Sequence, residues 1–594
     1  MSAFDVFGSF HPLRNPIGFG ARDFIELAAA ALLVLLALAW RPWIEPLART
    51  LATRTVWCMV LLAALPVALR LLLLPHHPVP SPQIYDEFGH LLVADTLRHF
   101  RLANPPHPMP QFFETFFILQ QPTYSSIYPI GQGLVLALGR AIFGHPWAGV
   151  VLSVAAFCSL CYWMLRAWTT PEWALLGGML AVFEFGPLNQ WMNNYWGGAV
   201  PAAAGCLVFG SLPRLREARG RTRYAVLLGL GLALHVLTRQ YETIFLATSV
   251  LLYFLPDLWN HSELRRLARA VPAVALAALA GIGITLVQNK QVTGSWMTLP
   301  AMLSQYQYGV PASLTFQAHA VPHRELTPQQ ELDYKMQRSF RGNTPETIGS
   351  YLLRLEYRVR YYRFFFLVPL YLALPAFLAT MRHSRFAWVV LSLVIFALGV
   401  NFFPAFQFHY VAAIVCLFVL ASVTGLERLS RLTLRRVPVG RTVARLIVFL
   451  CAAHFLFWYG LHVFDDQPFS LAMQQYETWN AIDHGDPGGR VAVQEQLERA
   501  AGKHLVFVRY WPQHIFQQEW VYNAADIDGA RIVWARDLGA AEDEKLRRYY
   551  PDRTPWLLEP DARPPKLTSC DPAASCFSPS LSPDLSSSTP FETP

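Results

Sequence analysis

Tyr128-Pro129-Ile130-Gly131-Gln132-Gly133, with the apolar run that follows it to residue 144, decides how this chain is threaded. Around it, apolar stretches recur at 24–40, 56–74, 147–167, 172–190, 197–212, 224–239, 241–256, 270–289, 363–381, 386–401, 408–425 and 444–464. A membrane helix needs about 20 residues, so most of these are candidate spans. Cytoplasmic loops collect Lys and Arg. Five loops do so here, carrying Arg41, Arg49 and Arg54; Arg214, Arg216, Arg219, Arg221 and Arg223; Arg265, Arg266 and Arg269; Arg382 and Arg385; and Arg428, Arg431, Arg435, Arg436, Arg441 and Arg445. If 129–144 crossed the membrane, the Arg-rich loop at 213–223 would move to the outside. The stretch is therefore read as a helix lying along, or dipping into, the outer surface. The expected fold is a polytopic α-helical membrane protein of about 12 transmembrane helices, with amphipathic surface helices in a first large outer loop, 75–146.

Composition agrees. The 594 residues are 54% hydrophobic and 15% charged, against about 25% charged in soluble domains, and the mean hydropathy is +0.29. The net charge of +8 sits in short loops between apolar runs, where it signals topology rather than a nucleic-acid surface. No cleavable signal peptide is read at the start. The same parity puts 191–196, 240, 290–362, 402–407 and everything after 464 outside. The 290–362 loop carries Lys290, Lys335, Arg338, Arg341, Arg354, Arg358 and Arg360. Long loops follow the positive-inside rule poorly, and a basic outer loop suits lipid phosphates.

Cys58, Cys158, Cys161, Cys206, Cys416 and Cys451 fall in apolar segments and are read as buried packing residues. Cys570 and Cys576 are a possible pair in the tail. After the membrane part, 1–464, the apolar density falls. Leu505 to Tyr510 and Ala530 to Ala535 read as strands, Glu495 to Ala500 and Ala541 to Tyr549 as helices. The expectation is a small C-terminal α/β extracytoplasmic domain over 465–561, then a Pro- and Ser-rich disordered tail, 562–594. No internal repeat is visible.

The outer loop carries Tyr85-Asp86-Glu87-Phe88-Gly89-His90. Ionisable groups at a membrane face are costly and mark function. A carboxylate there can deprotonate a hydroxyl or amine, since partial burial raises its pKa. The structural alternative is an acidic helix start that complements the helix dipole. Thr238-Arg239-Gln240-Tyr241-Glu242 lies at a tight outer turn. Arg239 suits a phosphate, because its planar fork matches oxygen pairs; snorkelling with Glu242 as partner is the alternative. Asn193-Asn194-Tyr195-Trp196-Gly197-Gly198 offers amides and rings for a sugar, or simply an aromatic belt. His409, in Gln407-Phe408-His409-Tyr410, reads equally as a substrate contact or an interfacial histidine. His76, His77 and His107 lack accompanying carboxylates, so no metal site and no cofactor is expected.

Asp86-Glu87-x-x-His90 in the first outer loop is similar to the acidic motif of protein O-mannosyltransferases. The Tyr128-Pro129 segment leading into an apolar surface helix resembles the Pro-rich segment of the same clan. Together they resemble the GT-C membrane glycosyltransferases, specifically the family 39 and aminoarabinose-transferase-like group, over roughly 56–290 and more loosely to 464. The sequence departs from that pattern in having an additional span, 24–40, and in having Pro129-Ile130 where Pro-Pro is expected. The resemblance implies a sugar donor on a polyprenyl phosphate, an inverting displacement and an acidic base. Asp86 inherits that role, with Glu87 the lesser candidate. The expected substrate contacts are Arg239, Glu242, Asn193, Asn194, His409 and Tyr128. The expected acceptor is a lipid, glycan or protein at the outer, periplasmic face of a bacterial inner membrane. Two other readings stand beside this one. A transporter or flippase of a lipid-linked solute would need ionisable groups at the bilayer midplane and repeated halves; a membrane scaffold would need no chemistry at all.

Overall fold

The computed structural model describes residues 21–216, 221–259, 261–341, 346–464, 482, 486, 488–512, 514 and 518–570. The apolar runs become helices. They are α1 (Ala21–Ala52), α2 (Thr55–Leu72), α3 (Tyr85–Arg98), α4 (Ile130–Phe143), α5 (Trp147–Leu165), α6 (Pro171–Phe185), α7 (Gln190–Asn193), α8 (Ala199–Arg216), α9 (Arg221–Val236), α10 (Glu242–Phe254), α11 (His261–Ala268) and α12 (Val271–Thr293). The 290–362 loop holds α13 (Pro300–Tyr308), α14 (Pro328–Arg341) and α15 (Ile348–Val359); then come α16 (Leu374–Leu378), α17 (Ser384–Val400), α18 (Val415–Ser430) and α19 (Val439–Phe464).

By length and composition, five helical stretches can cross a membrane: α2, α5, α12, Phe408–Ser430 and Val439–Gly460. The limbs Ala31–Trp40 and Ile44–Ala52 of α1, bent by 78°, make a sixth if they form one span. The expectation of about 12 transmembrane helices is therefore not met by length among the described residues. Helices α6, α9, α10 and α17 have 15, 16, 13 and 17 residues. At about 1.5 Å per residue they fall short of a core of about 30 Å. The expected span 363–381 is not one helix but two 3-10 turns, Arg360–Phe365 and Val368–Leu372, followed by α16. Pro369 and Pro375 each lack the N–H that would continue a helix. The stretch 41–55, expected as a loop, is largely the second limb of α1.

Helix α4 is also short, 14 residues, and its contacts place it. It packs against α3 and α5. At its start the Gly131 amide donates to the Leu237 carbonyl, 2.7 Å away, at the end of α9. The surface helix read from charge parity thus meets the loop helix α3 and the turn carrying Arg239 at one end of the bundle. In the bundle itself, Cys158, Cys161, Cys206 and Cys416 are buried in the main apolar cluster with Phe157, Phe185 and Phe209. Where lipid already excludes water, close packing of small residues holds helices together; α8 supplies Ala202, Ala203 and Ala204 to this contact.

A short antiparallel pair, β1 (Ile118–Leu119) and β2 (Ser125–Ser126), follows α3, and the C-terminal segment is a four-stranded sheet in the order β4-β3-β5-β6, with β3 Lys503–Val508, β4 Ile532–Arg536, β5 Arg553–Glu559 and β6 Lys566–Ser569. β3 pairs in parallel with β4 and β5, and β6 is antiparallel to β5. Parallel neighbours require a crossover, which α21 (Ala540–Tyr549) provides between β4 and β5; α20 (Arg490–Arg499) precedes β3. The sheet runs beyond Asp561 into the stretch expected to be a tail. Cys570 is buried; its expected partner Cys576 lies outside the described residues, as do 571–594 and most of 465–487. This unit packs on α3 and the segment that follows it. Ala525 donates its amide to Asp95 at 2.8 Å, and the Tyr124 hydroxyl donates to the Asn523 carbonyl at 2.9 Å. Phe88 lies between Tyr522, with ring centres 4.6 Å apart, and the guanidinium of Arg490, 4.3 Å above its ring.

Candidate active site

Helix α3 begins where Ile84 is extended, and the two adjacent carboxylates then part company. Glu87 sits at the third helical position and turns back. It accepts from the amides of Gln83 at 2.8 Å and Ile84 at 3.4 Å, the acidic half of a capping box, which the apolar Ile84 side chain does not return. Its other oxygen accepts the Tyr195 amide at 3.0 Å. Glu87, proposed as the second catalytic carboxylate, is thus a buried structural brace between α3 and the 194–198 turn. The helix-start alternative holds for Glu87 and frees Asp86.

Asp86 accepts a short hydrogen bond from the Tyr128 hydroxyl. Tyr128 lies against α3 because residue 89 is glycine; a Cβ there would stand 2.6 Å from the Tyr128 ring. The Tyr128 ring in turn lies over His90, 4.4 Å between centres. Asp86 is partly exposed, but dense protein surrounds it, and burial pushes its carboxyl up to about 6; Tyr128 and the charge of Arg239 oppose that rise. Burial, then Arg239, holds His90 down at about 3, a neutral imidazole. Burial and Asp86 hold the Tyr128 hydroxyl well above the usual phenol range, so it stays a donor.

Arg239 stands in the turn between α9 and α10. Its Nε donates to Glu242 at 2.8 Å, a second nitrogen makes a shorter contact with the same oxygen, and its guanidinium lies 4.6 Å over the Tyr410 ring. Glu242 is buried and orients Arg239, whose side chain keeps 22% of its surface exposed. The arginine is therefore aimed by its carboxylate and still available to an anion.

His90, Tyr128, Pro129, Gln132, Trp196, Gly197, Gly198, Pro201, Thr238, Arg239 and His409 enclose an open cleft of about 370 Å³. Four of them present buried polar atoms with no hydrogen-bond partner: His90 Nδ1, Gln132 Oε1, Trp196 Nε1 and His409 Nδ1. Buried polar atoms left unpaired are rare and call for an explanation; four around one cleft point to a ligand that completes them. The Trp196 and His409 rings meet edge to face at 5.4 Å. Gly198 adopts φ +134°, and a Cβ there would enter the Trp191 ring at 2.2 Å. Only glycine permits that chain path beneath the cleft.

Of the residues read from the sequence, Asp86, Tyr128, Arg239, Glu242 and His409 come together. Asn193 does not join them. Its oxygen accepts from Arg70 Nε at 2.7 Å, and its amide donates to the Pro187 and Asn189 carbonyls at 2.9 and 2.8 Å. It fastens the turn rather than facing the cleft. Asn194 is half-buried with an unpartnered oxygen but does not line the cleft. Gln132, Trp196 and His90 were not singled out as contacts, although all three lie in segments quoted for other reasons. Their signal is polar side chains placed among Gly and Pro at helix starts. No group of three or more His, Cys, Asp or Glu among the described residues is arranged to hold a metal.

No family model matches the sequence, and no curated protein matches it. Among solved structures, the fold is similar to ArnT from Cupriavidus metallidurans in the apo state, at 12% identity and a TM-score of 0.49, covering 85% of this chain and 93% of that one. It is similar to the same protein bound to undecaprenyl phosphate, at 12% identity and a TM-score of 0.48, covering 77% and 83%. It is also similar to the oligosaccharyltransferase of Archaeoglobus fulgidus, at 13% identity and a TM-score of 0.34, covering 77% of this chain and 62% of that one. At such values no residue role passes from them to this chain.

Proposed function

We propose that this chain is a GT-C membrane glycosyltransferase that moves a sugar from a polyprenyl-phosphate donor to a hydroxyl or amine acceptor at the outer membrane face. The observation that supports it most is one cleft lined by an oriented arginine, four unpartnered buried polar atoms and Tyr128, whose hydroxyl is bonded to the Asp86 carboxylate. Asp86 takes the proton of the acceptor nucleophile. The nucleophile attacks the anomeric carbon, and the bond from that carbon to the phosphate oxygen breaks with its electron pair on the leaving phosphate. Arg239 meets the negative charge that grows there, which is where a fixed cation lowers the barrier. Tyr128 holds Asp86 and Glu242 holds Arg239. Asp86 begins α3, Arg239 occupies the α9–α10 turn and His409 begins Phe408–Ser430, so the groups gather at helix ends rather than mid-span, where a transporter site would lie.

The test is donor turnover. Purified protein in detergent or nanodiscs is incubated with undecaprenyl-phosphate sugars, undecaprenyl phosphate being the ligand of one of the similar structures. Release of undecaprenyl phosphate with an acceptor-dependent rate supports the proposal. Sugar-lipid that moves between leaflets of a proteoliposome without being cleaved contradicts it.

A further inference from the structure

Two kinds of group line the cleft, and the difference bears on the sugar. Arg239 and Thr238 offer a cation and a hydroxyl. Gln132, Trp196, His90 and His409 offer unpartnered buried atoms. Their hydrogen-bonding requirements are mixed. Trp196 Nε1 can only donate, and Gln132 Oε1 can only accept, because the Gln132 amide nitrogen already donates to the Tyr195 carbonyl at 3.1 Å. Each imidazole nitrogen donates or accepts according to its tautomer. A phosphate offers acceptors alone and would leave Gln132 Oε1 unpaired. Hydroxyl groups both donate and accept, so a polyhydroxy ring satisfies all four atoms.

Charge narrows the class further. The formal cation lining the cleft is Arg239, no carboxylate among the described residues lines it, and the two carboxylates bonded to its lining are engaged, Asp86 by the Tyr128 hydroxyl and Glu242 by Arg239. An ammonium group on the sugar would be buried near a guanidinium, among two imidazoles and an indole, with a neutral amide oxygen as its acceptor. An unpaired buried charge is expensive. We infer that Gln132, Trp196, His90 and His409 form a subsite for an uncharged, polyhydroxy sugar ring of the donor, and that it discriminates against amino sugars. This inference rests on the glycosyltransferase reading and adds the substrate class to it.

The experiment uses a matched pair of donors, undecaprenyl-phosphate arabinose and its 4-amino-4-deoxy analogue, which differ in one group. Binding to the full-length protein is measured without acceptor, so that donor and acceptor sugars are not confused, with sugar-free undecaprenyl phosphate as the third ligand. The expected result is that the neutral donor binds about tenfold or more tightly than the amino donor. Trp196→Phe keeps the ring and loses the donor nitrogen; it is expected to weaken the neutral donor several-fold and leave undecaprenyl phosphate unchanged. Gln132→Glu is nearly isosteric and supplies the missing negative charge; it is expected to shift preference toward the amino donor. Both variants are checked by thermal unfolding. Equal binding of the two donors, preference of the parent for the amino donor, or equal loss of undecaprenyl phosphate in Trp196→Phe overturns the sugar subsite and leaves the glycosyltransferase reading standing. Failure to bind any of the three ligands overturns that reading itself.

Discussion

A base must be ionised to work, and the Asp86 carboxyl, pushed up to about 6, loses its proton as pH rises through that value. Transfer should therefore fall about tenfold per unit as pH drops below about 6, a slope that a pH–rate profile measures directly. Tyr128 lowers the Asp86 pKa through its hydrogen bond. Tyr128→Phe should move that acid limb upward by about one unit, whereas a merely structural change would lower the rate at every pH. The same burial has a stability sign. The folded carboxyl binds its proton more tightly than the unfolded one, with its ordinary value of 3.8. Stability from this group is thus full at low pH and declines as pH rises from about 4 to about 6. Asp86→Asn removes the penalty and should leave stability at pH 7 unchanged or higher, by on the order of 1 kcal/mol, read as an unchanged or raised melting temperature. The carboxylate pair was visible in the sequence, but its division of labour was not. Which of two adjacent acids caps a helix depends on where the first helical residue falls, and sequence patterns locate that boundary poorly.

At the scale of elements, α3 positions the chemistry, and its start is secured from two sides. Glu87→Ala would remove the cap on Gln83 and Ile84 and leave the buried Tyr195 amide unpaired. A loss of about 2 kcal/mol is expected, read as a lower melting temperature, with activity following stability and no displacement of the pH profile. Counting arginines gave helix α4 as an expected surface helix; in the fold its start meets the end of α9 and the flank of α3. The apolar run 363–381 shows the opposite. Hydrophobicity marked it as a span, but Pro369 and Pro375 break it into turns that are nevertheless buried through Phe365, Leu370 and Phe377. Asn193 was legible as a polar residue at an outer turn and not as the acceptor for Arg70, because that contact joins residues 123 positions apart.

For the whole molecule, the C-terminal sheet lies against the back of α3 while the cleft lies on its front. Phe88 and Asp95 face Tyr522, Arg490 and Ala525, while His90 lines the cleft and Asp86 is bonded to Tyr128, which lines it too. Asp95→Ala should loosen this seam. Faster proteolysis between the membrane part and the sheet is expected, together with a several-fold fall in transfer rate, as α3 loses one of its supports. The strands were readable from their apolar runs, but their docking on α3 was not, since it joins residues about 400 positions apart. Both supports serve one residue, and the central claim is that Asp86 is the base. The measurement that tests it is transfer by Asp86→Asn alongside its binding of undecaprenyl phosphate. Binding close to the parent with transfer reduced about 10²–10⁴-fold is the predicted result; transfer at the parent rate would contradict the account.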